Sequence, residues 1–224
     1  MHEILFDQCN IYQFQIDPKI FEEVMFDFKN SKLFWKKIEF GNNTFSGYLD
    51  SNYIFPWYHQ KLFDWFDECL IQVSNKHYFG KKFSIVDSWL TSYNPGSNAQ
   101  PHTHDCSILS GLFYMTSHEH SETVFKYFDP WLKDVAWMLG IDKAQTIEVP
   151  VKPTAGKLLI WKSSYIHGVN MHRETKPRHT LAFNAFFDGR ISYNPTMHLE
   201  LNCVNSKDRY QRYLETRNSS SIEK

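Results

Sequence analysis

The apolar residues change their period near residue 83, and that change limits the folds open to this chain. Upstream the spacing is helical. "DPKIFEEVMFDFKN" (17–30) opens with Asp17 as N-cap and Pro18 at the first helical position, and Ile20, Phe21, Val24, Met25 and Phe28 fall on one face. "PWYHQKLFDWFDECLIQVSN" (56–75) carries a second stripe of Tyr58, Leu62, Trp65, Phe66, Cys69, Leu70 and Val73. Downstream the period is two. "SIVDSWLTSY", "ILSGLFYM", "ETVFKYF", "TIEVPV", "GKLLIWKS", "IHGVN" and "RHTLAFNAFF" are short segments rich in β-branched and aromatic residues. Turn signals separate them: Asn94-Pro95-Gly96, Asp129-Pro130, Pro153 to Gly156 and Lys176-Pro177. The pattern predicts a mainly β fold, an antiparallel barrel or jelly roll with helices on its outer face.

One domain over 1–217 suits a chain of 224 residues. It divides into a helical N-terminal part (about 1–80), a β-barrel core (about 83–190) and a C-terminal extension (191–217). A short helix is expected in "PWLKDVAWMLG" (130–140) and another in "DRYQRYLETR" (208–217), with 218–224 a disordered tail. Charge argues against one class of partner: 24 basic against 25 acidic residues leaves no surplus for a large nucleic-acid surface, with a local basic patch still open. Cys9, Cys69, Cys106 and Cys203 are widely scattered, as in reduced intracellular proteins. No basic-then-apolar leader opens the sequence, and no apolar run approaches the roughly 20 residues of a membrane span. A cytoplasmic protein with no membrane partner is the expectation.

Candidate chemistry begins at "PHTHDC". If this is a strand, His102 and His104 point the same way, with Thr103 and Asp105 opposite. Two imidazoles converging from one short segment make half of a site for a divalent metal such as iron. His167, opening "IHGVN", is the third candidate ligand. A second His-x-His, at His118 and His120 with Glu119 between, lies in the polar run "SHEHSE", expected to be a solvated hairpin loop. Spacing alone does not choose between the two pairs.

"RHTLAFNAFF" adds an argument. Alternation sets Arg178, Thr180, Ala182 and Asn184 on one face, and His179, Leu181, Phe183 and Ala185 on the other. An arginine followed by small or polar residues suits a pocket in which a guanidinium grips a carboxylate. Asp87, Trp89, Thr91 and Tyr93 share a face of the first strand, with Tyr93 a further hydrogen-bonding candidate.

Together, "HTH", "LSGLFYM", "YFDP", "SSYIHGV" and "RHTLAFN" resemble the 2-oxoglutarate/Fe(II)-dependent oxygenases, most nearly a bacterial and phage group with this ordered set of motifs. The resemblance spans residues 84–187. It implies a double-stranded β-helix (jelly roll) with N-terminal helices on the outer face of the major sheet. It also implies iron at the open end, held by His102 and His167, with His104 where an Asp or Glu usually stands. Asp105 is the alternative third ligand if a bulge turns the chain. Arg178 would bind the distal carboxylate of 2-oxoglutarate, beside Thr180 and Tyr93. No Gly or Ala takes the acid's place, which argues against halogenation.

The implied reaction is hydroxylation of a small-molecule or peptide substrate by O2, releasing succinate and CO2. Tyr127, Trp131 and Trp137, within the segment 116–140, are candidates for the substrate pocket or for core. Two other classes compete: a cupin-like three-histidine dioxygenase that needs no 2-oxoglutarate, and a non-catalytic jelly-roll binding module. Arg178 separates the first from the oxygenase reading, and metal content with a 2-oxoglutarate titration separates the second.

Overall fold

The structure is a computed structural model that describes residues 2–6, 9–30, 35–40, 43–48, 59–128, 138, 146–190, 199–201 and 203, with only the backbone given for 2–6, 9, 35–40, 43–48 and 128. In chain order the elements are β1 (His2–Phe6), β2 (Cys9–Gln15), α1 (Pro18–Asn30), β3 (Trp35–Phe40), β4 (Asn43–Tyr48) and α2 (Gln60–His77). Then come β5 (Phe83–Tyr93), β6 (Ala99–His102), β7 (Leu109–Tyr114), β8 (Thr123–Phe128) and β9 (Thr146–Val151). The last are β10 (Lys157–Lys162), β11 (Ile166–Val169), β12 (Arg178–Phe187), β13 (Gly189–Arg190) and β14 (Glu200–Leu201).

Two antiparallel sheets face each other, an eight-stranded one ordered β1-β2-β10-β7-β12-β5-β4-β3 and a four-stranded one ordered β6-β11-β8-β9. The expected mainly β jelly roll is therefore what forms. β7 belongs to the larger sheet and β8 to the smaller, so the run between them is a crossover and not the hairpin loop expected there.

The central strands of the larger sheet, β2, β10, β7, β12 and β5, sort their residues by alternation. One face joins the helices in a core that includes Val24, Leu62, Phe66, Val73, Phe113, Leu158, Ile160, Leu181 and Phe183. The other packs Leu112, Tyr114, Leu159, Trp161 and Ala182 toward Phe125 and Val151 of the smaller sheet. The helix-facing layer depends on Gly111. A Cβ there would lie 2.2 Å from the ring of Phe183, its cross-strand partner, so only glycine leaves room for that ring, which packs tilted at 38° against Phe66.

Both expected helices form, with corrected detail. Asp17 Oδ1 accepts from the backbone N–H groups of Lys19 (2.8 Å) and Ile20 (3.4 Å), as an N-cap should. The second helix starts later than "PWYH" suggested, because His59 serves as N-cap and its Nδ1 accepts from Leu62 N–H. The N-terminal part is not simply helical: four strands lie in 2–48 and extend the larger sheet on both sides. In "IYQFQI", Tyr12, Phe14 and Ile16 face the helical core and Ile11 the interior, a period of two that allows β2 to pair with β10. The helices expected at 130–140 and 208–217, the tail, and Trp131 and Trp137 lie outside the described residues. Cys69 is buried and Cys106 exposed, and neither forms a disulfide. No described helix is long and apolar enough to cross a membrane.

Candidate metal centre and anion pocket

β6 and β11 are neighbours in the smaller sheet, with His102 directly opposite His167. Gly168 permits that approach, since a Cβ there would meet the Ala99 carbonyl at 2.8 Å. His104 stands beyond the end of β6, in the turn before β7, where its backbone N–H donates to Ser163 O (3.0 Å). The expectation of one regular strand through both histidines is corrected accordingly. The rings converge all the same: His102 and His104 stack at 5.2 Å, His102 and His167 lie 4.5 Å apart, and His104 and His167 4.9 Å. The candidate ligand atoms of the three all lie within 4.8 Å of one another. Among the described residues this is the one such cluster of three or more.

The outer nitrogens explain the orientation. Nδ1 of His102 meets the Gln100 carbonyl at 2.8 Å, and Nδ1 of His167 meets the Tyr165 carbonyl at 3.0 Å. Because a carbonyl only accepts, each Nδ1 carries the proton and each Nε2 keeps its lone pair. His104 reaches the same state through side chains, its Nδ1–H lying 2.6 Å from Asn184 Oδ1. Ser110 Oγ donates to the same oxygen (2.9 Å) and touches Ser163 Oγ (2.9 Å), which braces the amide. Burial, then the neighbouring His102, holds the His167 pKa down at about 3, and burial also lowers that of His104. Neutral imidazoles are the form that binds a metal, so few protons compete near neutrality. The residues present fit a divalent metal.

The far end of the pocket is built differently. Arg178 is fully buried (0% exposed), with Nη2 donating to Thr123 Oγ1 at 3.0 Å. Among the described residues, its Nε and Nη1 find no hydrogen-bond partner and no Asp or Glu lines the pocket. The guanidinium carbon lies 4.9 Å from the Tyr93 ring centre and 5.4 Å from that of Tyr114. Burial raises both phenol pKa values, so both hydroxyls stay protonated at neutral pH. Thr180 is buried on the same face of β12, opposite Tyr114 in the register. A buried cation with two idle donors fits a carboxylate arriving from outside.

One pocket thus brings together His102, His104, His167, Arg178, Thr180 and Tyr93. Asp105 is exposed and lies outside the histidine cluster. Tyr127 is half-buried on β8 and does not line this pocket. His118 departs from the expected solvated loop. It is buried, its Nδ1 3.0 Å from Glu174 Oε2 and its Nε2 3.0 Å from Thr116 Oγ1, while His120 stays exposed. Asn184, Ser110 and Ser163 were not singled out as functional residues, although Asn184 falls on the pocket face by alternation. Nothing in sequence spacing says that a loop histidine will reach it.

Comparison with known proteins bears on the family and the fold. Residues 87–184 match the family described as "Putative 2OG-Fe(II) oxygenase". No curated protein matches the chain. Among solved structures, a 2OG-Fe(II) oxygenase family oxidoreductase from Burkholderia pseudomallei superposes with a TM-score of 0.56 at 11% identity, covering 79% of this chain and 85% of that one. A prolyl-4-hydroxylase from Pseudomonas putida gives 0.52 at 13% identity, covering 80% and 92%. HygX from Streptomyces hygroscopicus, with nickel and 2-oxoglutarate bound, gives 0.53 at 13% identity, covering 81% and 84%. At such identities the likeness is one of fold.

Proposed function

We propose that the chain, whose residues 87–184 match the 2OG-Fe(II) oxygenase family, is such an oxygenase and holds iron(II) with His102, His104 and His167 and 2-oxoglutarate with Arg178, Thr180 and Tyr93. The product of the reaction is a hydroxylated small molecule or peptide, with succinate and CO2 released. One observation carries the reading: a single pocket has three lone pairs converging near its mouth and a buried, two-donor guanidinium at its other end. Iron bound there supplies the redox chemistry, coupling oxidative decarboxylation of the 2-oxo acid to oxidation of a substrate C–H bond with O2.

The protein's own groups orient and exclude. The Nδ1–H bonds hold the three rings in the ligating tautomer. Arg178 anchors the distal carboxylate and so sets how far the 2-oxo end extends toward the histidines. The apolar walls of Leu112, Trp161 and Ala182 keep water from the reacting centre. No proton must be taken by a side chain, so no general base is assigned.

The absence of an acid ligand favours, as a second reading, a cupin-like three-histidine dioxygenase that binds substrate directly. That enzyme would have no use for Arg178. We further assign 1–217 to one oxygenase domain, because strands from 2–48 and from 83–187 share the larger sheet. The cytoplasm is the proposed compartment, on the scattered cysteines.

The test is spectroscopic. Anaerobic iron(II) plus 2-oxoglutarate should give a weak visible charge-transfer band, and Arg178→Met should abolish it at the same ligand concentration. Succinate formation under air should follow the band. A wild-type protein that binds iron without developing the band would refute the 2-oxoglutarate assignment.

A further inference from the structure

Trp161 presents a polar group that the chemistry so far leaves unused. On β10, Leu158 and Ile160 face the helical core, while Leu159 and Trp161 face the barrel interior. The register sets Trp161 opposite Ser110, itself opposite Asn184, so the indole stands in the tier that anchors His104. Its ring lies 4.8 Å from that of His167 at 65°, and 5.2 Å from that of Phe125 at 77°. Trp161 lines the pocket and is 1% exposed. Its Nε1–H has no hydrogen-bond partner among the described residues. An indole N–H can only donate, and leaving it buried and unmatched is unfavourable. A phenylalanine could pack against His167 and Phe125 as well without that penalty.

The position of the donor says what it is for. Arg178, at the opposite end of β12's pocket face, has its own neighbours in Tyr93, Tyr114 and Thr123. A 2-oxo diacid gripped there has its other carboxylate beside the histidines, where the three ligand rings already commit their Nδ1–H bonds. We propose that the Trp161 indole N–H donates to the metal-side carboxylate of the 2-oxo acid, making Trp161 a cosubstrate-binding residue that works independently of Arg178. This rests on the 2-oxoglutarate reading above.

The experiment uses two ligands on the anaerobic iron(II) protein: 2-oxoglutarate, and 2-oxobutyrate, which lacks the distal carboxylate. Trp161→Phe removes the N–H and keeps the ring. It should weaken both ligands by about tenfold and shift the charge-transfer band, with iron affinity unchanged. Arg178→Met should weaken only 2-oxoglutarate. Should Trp161→Phe fold poorly, the wild-type protein loaded with zinc reads the same bond, as an indole N–H resonance that moves downfield on addition of either 2-oxo acid. Wild-type affinity for both ligands in Trp161→Phe, or no indole shift in the zinc protein, would overturn the inference while leaving the oxygenase reading intact. So would a loss in Trp89→Phe as large as that in Trp161→Phe, because Trp89 also lines the pocket, against His104. No band in the wild type overturns both.

Discussion

Replacing Arg178 by methionine should make the ligand-free protein more stable and the ligand-bound protein less so. The wild-type guanidinium is fully buried with two donors unmatched. An uncompensated charge in such a site costs several kcal/mol. Against that stand the Thr123 hydrogen bond, about 1–2 kcal/mol, and two cation–π attractions to Tyr93 and Tyr114, about 1 kcal/mol each. Methionine keeps an unbranched apolar stem of similar reach. The balance favours Arg178→Met by about 1–2 kcal/mol, a rise in Tm of roughly 2–8 °C at about 2–4 °C per kcal/mol. With 2-oxoglutarate the sign reverses. Loss of a two-pronged charge-assisted contact costs about 3 kcal/mol or more, over 100-fold in Kd. At a ligand concentration 100 times the wild-type Kd, the wild type gains about 2.7 kcal/mol and the variant almost none. Thermal unfolding of the zinc-loaded protein, with and without 2-oxoglutarate, measures both. A variant less stable than wild type without ligand, yet shifted equally by 2-oxoglutarate, would refute the reasoning.

Three other perturbations read separate parts of the structure. Asn184→Leu removes the acceptor that fixes the His104 tautomer and should lower metal affinity by about 10–100-fold, with Asn184→Asp restoring it, as followed by metal titration. Gly111→Ala drives a methyl group into the Phe183 ring and should destabilise the fold by about 1–3 kcal/mol in urea unfolding, with Phe183→Leu relieving part of the loss. Glu174, held at a pKa of about 2 by the His120 backbone N–H and then by His118, is more acidic folded than its ordinary 4.5. Its contribution is therefore present above about pH 4.5 and lost as pH falls toward 2. The stability gap between wild type and Glu174→Gln should close across that window.

The strands of the barrel were legible because alternation there has a physical meaning. β12 separates a helical core from a pocket, so Leu181 and Phe183 must differ from Arg178 and Thr180 in kind. β1–β4 were missed for a local reason. β3 and β4 pair as a hairpin with Phe40 opposite Asn43, flanking the dipeptide Gly41-Asn42, a turn signal that was present but outweighed by the two strong helices around it. β6 lies upstream of the strand expected through His102 and His104, because Ala99–His102 shows no alternation that would mark where it ends: its residues are mostly exposed, and it sits at the edge of its sheet beside β11. Buried His118 escaped notice because its partner Glu174 lies far along the chain in another loop.

His104 shows why the missing acid is compatible with the rest of the site. A carboxylate ligand would offset part of the metal's charge, whereas three neutral imidazoles offset none. The group that steadies His104, Asn184 Oδ1, is itself neutral. Arg178 adds a second positive centre, and among the described residues no Asp or Glu lines the space between. A pocket with two positive centres and no internal counter-charge selects for a small dianion more strongly than one with an acid ligand would. With iron held as proposed, the charge lost by placing His104 where an acid usually stands would be restored by the cosubstrate itself. Metal and 2-oxoglutarate should then bind with mutual reinforcement, since each removes a cost imposed by the other's site.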